Sequence, residues 1–160
     1  FLESRLQADP KVLLCGNSLG CISALYLAAE NADVVDGLIL RNPPALDDVV
    51  RHVARQYPGG RWVGPIVNEL PESMDAVIQV ERVQQAIVFL QSELDSLVLP
   101  EFQTKIQDGH PGPQKVEVLV GIDHHELTDD RHEQGIESCL RWLIEQVSDR
   151  HRTFHQPREG

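Results

Sequence analysis

Hydrophobic residues fall into short runs and helical stripes that alternate along the chain. Lys-Val-Leu-Leu-Cys at 11–15 is a short apolar run ending at a glycine, the pattern of a strand buried on both faces of a parallel sheet. From Leu19 to Glu30 the residues Ile22, Leu25, Tyr26 and Ala29 share one helical face. Ser23, Ala24 and Ala28 keep this element slim, and Asn31 to Asp33 stop it. Residues 35–40, Val-Asp-Gly-Leu-Ile-Leu, read as a second buried strand, which Asn42, Pro43 and Pro44 close. Strand, helix and strand make a βαβ unit. The segment before it, Phe1 to Gln7, reads as the end of a helix.

Leu46, Val49, Val50, Val53 and Tyr57 then recur at helical spacing until Pro58, Gly59 and Gly60 end the run. A weaker helical stretch follows around Met74, Val77 and Ile78. Together these predict an inserted helical cap at about 45–85. The alternation resumes with a strand at Ala86 to Leu90, a helix carrying Phe102 and Ile106, a turn cluster from Gly109 to Pro113 and a strand at Val116 to Val120. Thr128 or Asp129 is the N-cap of a last helix, with Ile136, Leu140, Leu143 and Val147 on one stripe. Residues 148–160 are polar and predicted to be a disordered tail. The expected architecture is α/β, a mostly parallel sheet flanked by helices, with one domain over 1–147.

Composition narrows the function classes. The 160 residues carry a formal net charge of -11, with acidic residues spread along the whole chain, so no basic face is available to neutralise phosphates. Nucleic acid is not an expected partner. No apolar run reaches the ~18–20 residues of a membrane span. Cys15, Cys21 and Cys139 form no CxxC pair and no even-numbered framework. They read as buried thiols in a reducing compartment, hence a cytoplasmic protein.

The chemistry centres on Gly16-Asn17-Ser18-Leu19-Gly20, a Gly-x-Ser-x-Gly motif with a buried strand running into it and a helix running out. Such a turn is tight enough to hold the serine in a strained conformation at the carboxyl edge of the sheet, with the flanking glycines avoiding clashes. The following helix aims its free N–H groups at that position, which makes the Leu19 N–H an oxyanion donor. A phosphate cradle would need Gly-x-Gly-x-x-Gly or a Gly-Lys-Ser ending, and neither is present.

A serine hydroxyl needs a base, and the base needs an orienting acid. Strand 86–90 leads into Gln91-Ser92-Glu93-Leu94-Asp95, and strand 116–120 leads into Gly121-Ile122-Asp123-His124. Asp95 and His124 are therefore the candidate acid and base. Asp47 or Asp48 is an alternative acid and His125 a rival base. Asp123, His124, His125 and Glu126 also suggest metal ligands, yet consecutive residues point in divergent directions, and no metal or organic cofactor is expected.

The runs LLCGNSLGCISALYLAA, VFLQSELDSLVLP and VLVGIDHHEL resemble the three signature segments of the α/β-hydrolase superfamily, including its esterases and lipases. The resemblance implies a serine hydrolase acting on a small-molecule ester, thioester or amide through an acyl-enzyme. It spans about residues 11–147 and corresponds only to the C-terminal portion of the usual domain. The implied partner is the missing N-terminal half of the same domain, which normally supplies the second oxyanion donor and a strand beside the first one here. On this reading the 160 residues are a fragment, inactive or very weakly active alone. The alternative is a non-catalytic module of the same fold that binds a ligand or partner.

Overall fold

The computed structural model describes residues 11–154, and within them the first apolar run becomes strand β1, Leu13–Asn17. A two-residue turn leads into helix α1, Gly20–Glu30, which returns the chain to β2, Gly37–Arg41. Between β2 and the next strand lie α2 (Leu46–Ala54), a 3-10 turn at Gly60–Val63, α3 (Gly64–Val67), a second 3-10 turn at Glu72–Met74 and α4 (Ala76–Glu81). Then come β3 (Ala86–Ser92), α5 (Pro100–Gly109), β4 (Gln114–Leu119) and α6 (Asp130–Phe154). The helix expected at Phe1 to Gln7 lies outside the described residues, as do 155–160.

All three strand pairings are parallel, and the strands stand in the sheet in chain order. Every strand therefore ends at the same edge, where the loops that follow them gather. On one face Leu38, Leu40, Ile87 and Phe89 meet Cys21, Leu25 and Ala28 of α1, Val80 of α4 and Ile106 of α5. On the other, Val88, Leu90 and Leu119 meet Cys139, Leu143 and Val147 of α6. Each large side chain fully buried in these layers contributes about 1.5–3 kcal/mol.

The central strands β2 and β3 are buried as their apolar runs predict; the outer strands differ. In β1, Leu13 and Leu14 are half-buried and Cys15 is exposed, because the strand has a neighbour on one side only among the described residues. The expectation of three buried thiols thus holds for Cys21 and Cys139 and fails for Cys15. Strand β4 alternates rather than being buried throughout, and Val116 and Val118 face solvent.

The insertion is also shorter than its spacing suggests. Ala76, Val80 and Val83 are fully buried in the same cluster as Phe89, so α4 is a sheet-flanking crossover helix and not part of a cap. Residues 47–75 contribute no side chain to either core cluster. At the other end, α6 continues to Phe154, so residues 148–154 are helical, and the rest of the tail expected over 148–160 lies outside the described residues. No helix among the described residues is long and apolar enough to cross a membrane.

Candidate active site

The turn after β1 reverses the chain within two residues, and this forces Ser18 to φ 51, the left-handed region that side chains disfavour. The conformation is held from three sides. The Ser18 N–H donates to the Arg41 carbonyl at 2.9 Å, the Cys21 N–H donates to the Ser18 carbonyl at 2.9 Å, and the Ile22 N–H donates to the Leu19 carbonyl at 3.1 Å. Gly16 is required here, since a Cβ on it would lie 2.7 Å from the Cys21 Cα and 2.8 Å from its nitrogen. Gly20 is not required in the same way, because a Cβ there meets nothing within 4 Å. The expectation that both glycines avoid clashes is thus corrected to one.

From this turn the Ser18 Oγ lies 3.0 Å from the Nε2 of His124, and the Nδ1 of His124 lies 2.7 Å from the Oδ2 of Asp95. Three residues from three separate loops, with sequence separations of 106 and 29, form one chain of hydrogen bonds at the carboxyl edge of the sheet. Leu19 follows the serine with its side chain 61% exposed, and no carbonyl or side chain among the described residues accepts its N–H. Beside the turn lies a hollow of about 590 Å³ lined by Leu19, Ile22, Tyr26, Leu27 and Met74.

The alternatives left open by the sequence separate in space. Asp47 pairs with Arg51 at 2.6 Å and Asp48 with Lys105, so both are engaged on the surface of α2. His125 packs edge-on against the His124 ring at a centroid distance of 4.9 Å and bonds to neither Ser18 nor Asp95. Among the described residues no cluster of His, Cys, Asp and Glu has the placement of metal ligands.

Asp95 is buried, and its charge is met on both oxygens. Oδ1 accepts the N–H groups of Leu97 at 3.0 Å and Val98 at 2.7 Å. Oδ2 accepts the Gln103 amide at 3.4 Å in addition to facing His124. Gln103, fully buried on α5, also donates to the Val98 carbonyl at 2.8 Å. Beneath the site, Asn42 (φ 50) accepts the Ser92 N–H at 2.9 Å and donates to the Ser92 Oγ at 3.0 Å, joining the ends of β2 and β3. Arg41 receives two donors on its carbonyl, from the Ser18 N–H and the Cys21 Sγ, while its guanidinium donates to the Glu126 carbonyl.

Gln103, Asn42, Ser92 and Arg41 escape a sequence reading. The only available signal is that Gln103 and Gln107 stand on the same side of α5 as Ile106, where a surface helix would carry apolar residues.

Two groups near the site have displaced pKa values. The N–H of Ser96, followed by that of His124, bonds to the Asp123 carboxylate and holds it below the ordinary range. Burial pushes the Cys21 thiol up to about 12. Three residues from Ser18, this thiol stays protonated and does not compete as a nucleophile.

No family model matches the chain. Over 102 residues it is 28% identical to Protein bem46 of Schizosaccharomyces pombe, a match covering 62% of this chain and 32% of the relative. Among solved structures, the esterase domain of a Rhodothermus marinus protein aligns with 91% of this chain and 65% of its own length, at 22% identity and a TM-score of 0.64. Est1E from Butyrivibrio proteoclasticus, with ferulic acid bound, aligns with 92% of this chain and 65% of its own, at 16% identity and a TM-score of 0.61. The chain thus spans about a third of the curated relative and just under two thirds of these two structures. A parallel sheet in chain order, helices on both its faces and these overlays together give the chain the α/β-hydrolase fold.

Proposed function

We propose that this chain carries the acyl-transfer centre of a serine hydrolase, with Ser18 as nucleophile, His124 as general base and Asp95 as the orienting acid. The observation that carries this reading is the unbroken Ser18–His124–Asp95 hydrogen-bond chain, 3.0 Å and 2.7 Å long in its two links. In this reading Asp95 accepts a hydrogen bond from the Nδ1–H of His124, which keeps the proton on Nδ1 and leaves Nε2 as the acceptor facing the hydroxyl. Ser18 attacks the carbonyl carbon of an ester, thioester or amide as its proton passes to Nε2, and a tetrahedral oxyanion forms. The protonated imidazole then donates to the leaving group, which departs and leaves an acyl-serine. Water activated by the same nitrogen releases the acid and restores Ser18.

The Leu19 N–H, without a partner among the described residues and next to the nucleophile, is the oxyanion donor on this side. One such donor is worth about 2.7–4 kcal/mol of barrier. Its counterpart, together with a strand beside β1, which has a neighbour on one side only among the described residues, comes in our reading from an N-terminal half of the same domain. The 160 residues alone are then at most weakly active. A small-molecule acyl compound is the substrate class, and the hollow beside Leu19 has room for its apolar portion.

The test is labelling by a fluorophosphonate, which reacts only with an activated serine. It is applied to the longer polypeptide that supplies the second oxyanion donor, because the 160 residues alone are at most weakly active in this reading, and compared with Ser18→Ala. Labelling should be abolished in Ser18→Ala, which has no Oγ for the probe to bond to. Equal labelling of both proteins would end the catalytic reading and favour a binding module of the same fold.

A further inference from the structure

The loop after β3, which carries Asp95, and the loop after β4, which carries His124, are laced together by more than the Asp95–His124 bond. The Glu93 N–H donates to the Leu119 carbonyl at 3.1 Å and the Leu94 N–H to the Ile122 carbonyl at 2.9 Å. Glu93 in turn accepts the Gly121 N–H at 2.8 Å. The densest knot is at Asp123. Its Oδ1 accepts the N–H of Ser96 at 2.8 Å and the N–H of His124 at 2.6 Å. The Ser96 hydroxyl adds contacts of 3.2 and 3.1 Å to the two carboxylate oxygens. The Asp123 N–H is itself held by Glu126 at 2.7 Å.

Ser96 directly follows the acid, and His124 is the base. One oxygen therefore grips the main chain beside Asp95 and the main chain of His124 at the same time. A single bond from Nδ1 to Asp95 sets a distance but leaves the imidazole free to swing about it. A second anchor on the backbone of the same histidine removes that freedom.

Resting on the triad reading above, we propose that Asp123 is a positioning residue: its carboxylate fixes the separation and mutual orientation of Asp95 and His124, and so the aim of Nε2 on the Ser18 hydroxyl. It touches neither Ser18 nor the reacting carbonyl. Its depressed pKa, caused first by the Ser96 N–H and then by the His124 N–H, keeps it an acceptor for both donors throughout the neutral range.

Position and charge separate in two substitutions. Asp123→Asn keeps an acceptor oxygen at the same reach and removes the charge, whereas Asp123→Glu keeps the charge and moves the oxygens outward by one methylene. Displacement of about 1 Å in a catalytic arrangement costs on the order of 10²-fold. With a fluorophosphonate probe, Asp123→Glu is expected to lower the maximal inactivation rate by about 10- to 100-fold while the half-saturating concentration stays within about 3-fold. Asp123→Asn should retain that rate within about 5-fold, a rescue by shape without charge. The proposal is overturned if Asp123→Glu reacts like the unsubstituted protein, if Asp123→Asn loses as much as Asp123→Glu, or if the loss lies in the half-saturating concentration. Ser18→Ala run alongside distinguishes the two levels. Undiminished labelling there removes the triad reading itself, whereas abolished labelling with an indifferent Asp123→Glu removes only the role of Asp123.

Discussion

Ser18 stands at φ 51, where a residue with a Cβ carries about 1–2 kcal/mol of strain. This makes the stability of two substitutions at position 18 informative. Ser18→Ala and Ser18→Gly both remove the Oγ–Nε2 hydrogen bond of 3.0 Å, so that loss, about 0.5–1.5 kcal/mol, cancels in their comparison. Alanine keeps the Cβ and the strain, and glycine sheds both. Against that gain, glycine adds about 0.4–1 kcal/mol of freedom to the unfolded chain. At the midpoints of these ranges the difference leaves Ser18→Gly more stable than Ser18→Ala by about 0.8 kcal/mol. For a domain of this length that is roughly 1–4 °C in melting temperature. Urea and thermal unfolding of the two variants under one set of conditions measure it. Alanine equal to or more stable than glycine would mean that the turn is not held left-handed, and the argument for a strained, presented serine would fall with it.

The remaining predictions follow from individual contacts. Gly16→Ala drives a Cβ into the backbone of Cys21 at 2.7 Å and should cost about 1–3 kcal/mol, whereas Gly20→Ala meets open space at the helix start and should gain about 0.4–1 kcal/mol. Equal effects in a urea titration would refute the asymmetry. Iodoacetamide at pH 8 should modify exposed Cys15 and spare Cys21, whose thiol is pushed up to about 12, and buried Cys139, as peptide mass spectrometry reads directly. His110 is held below its ordinary 6.5 by burial against the partial support of its hydrogen bond to the Pro113 carbonyl. Its unfolded form therefore binds a proton at higher pH than its folded form. The stability this residue contributes is present above about pH 6.5 and lost as pH falls below it. His110→Gln should flatten the urea midpoint between pH 7 and 5, and an unchanged slope would refute the assignment.

The parts of the fold that are legible in the sequence are those with a local cause. Strand β3 announces itself because a central strand buried on both faces leaves an unbroken apolar run from Ala86 to Leu90. Ser18 is legible because strand, turn and helix sit within a few residues of it. Asp95 and His124 are legible because a parallel sheet delivers the ends of β3 and β4 to the same edge as the end of β1. What stays hidden is set by pairing across that edge. Asn42 meets Ser92 across 50 residues and Asp123 meets Ser96 across 27, and no periodicity reports either contact. Helix α4, at six residues, is too short for its stripe to tell a crossover helix from a cap. The end of α6 is hidden for a related reason. Val147 is the last residue of α6 in the core cluster among those whose burial is described, and the helix continues past it on main-chain hydrogen bonds.

The hidden contacts share a physical role that the legible ones do not. Leu38, Leu40, Ile87 and Phe89 provide non-directional burial, and such packing tolerates small slips of one element over another. Hydrogen bonding to a serine at 3.0 Å tolerates little. At the carboxyl edge apolar packing therefore gives way to directional bonds. Asn42 clamps β2 to β3, Gln103 holds Asp95 and the Val98 carbonyl together, and Arg41 links the turn at Ser18 to the loop beyond His124. Each of these is a polar group withdrawn wholly or partly from water, and leaving one partner unmet costs about 1–3 kcal/mol. That cost is what gives the arrangement one geometry rather than several, because any rearrangement of the three loops must break several of these bonds at once.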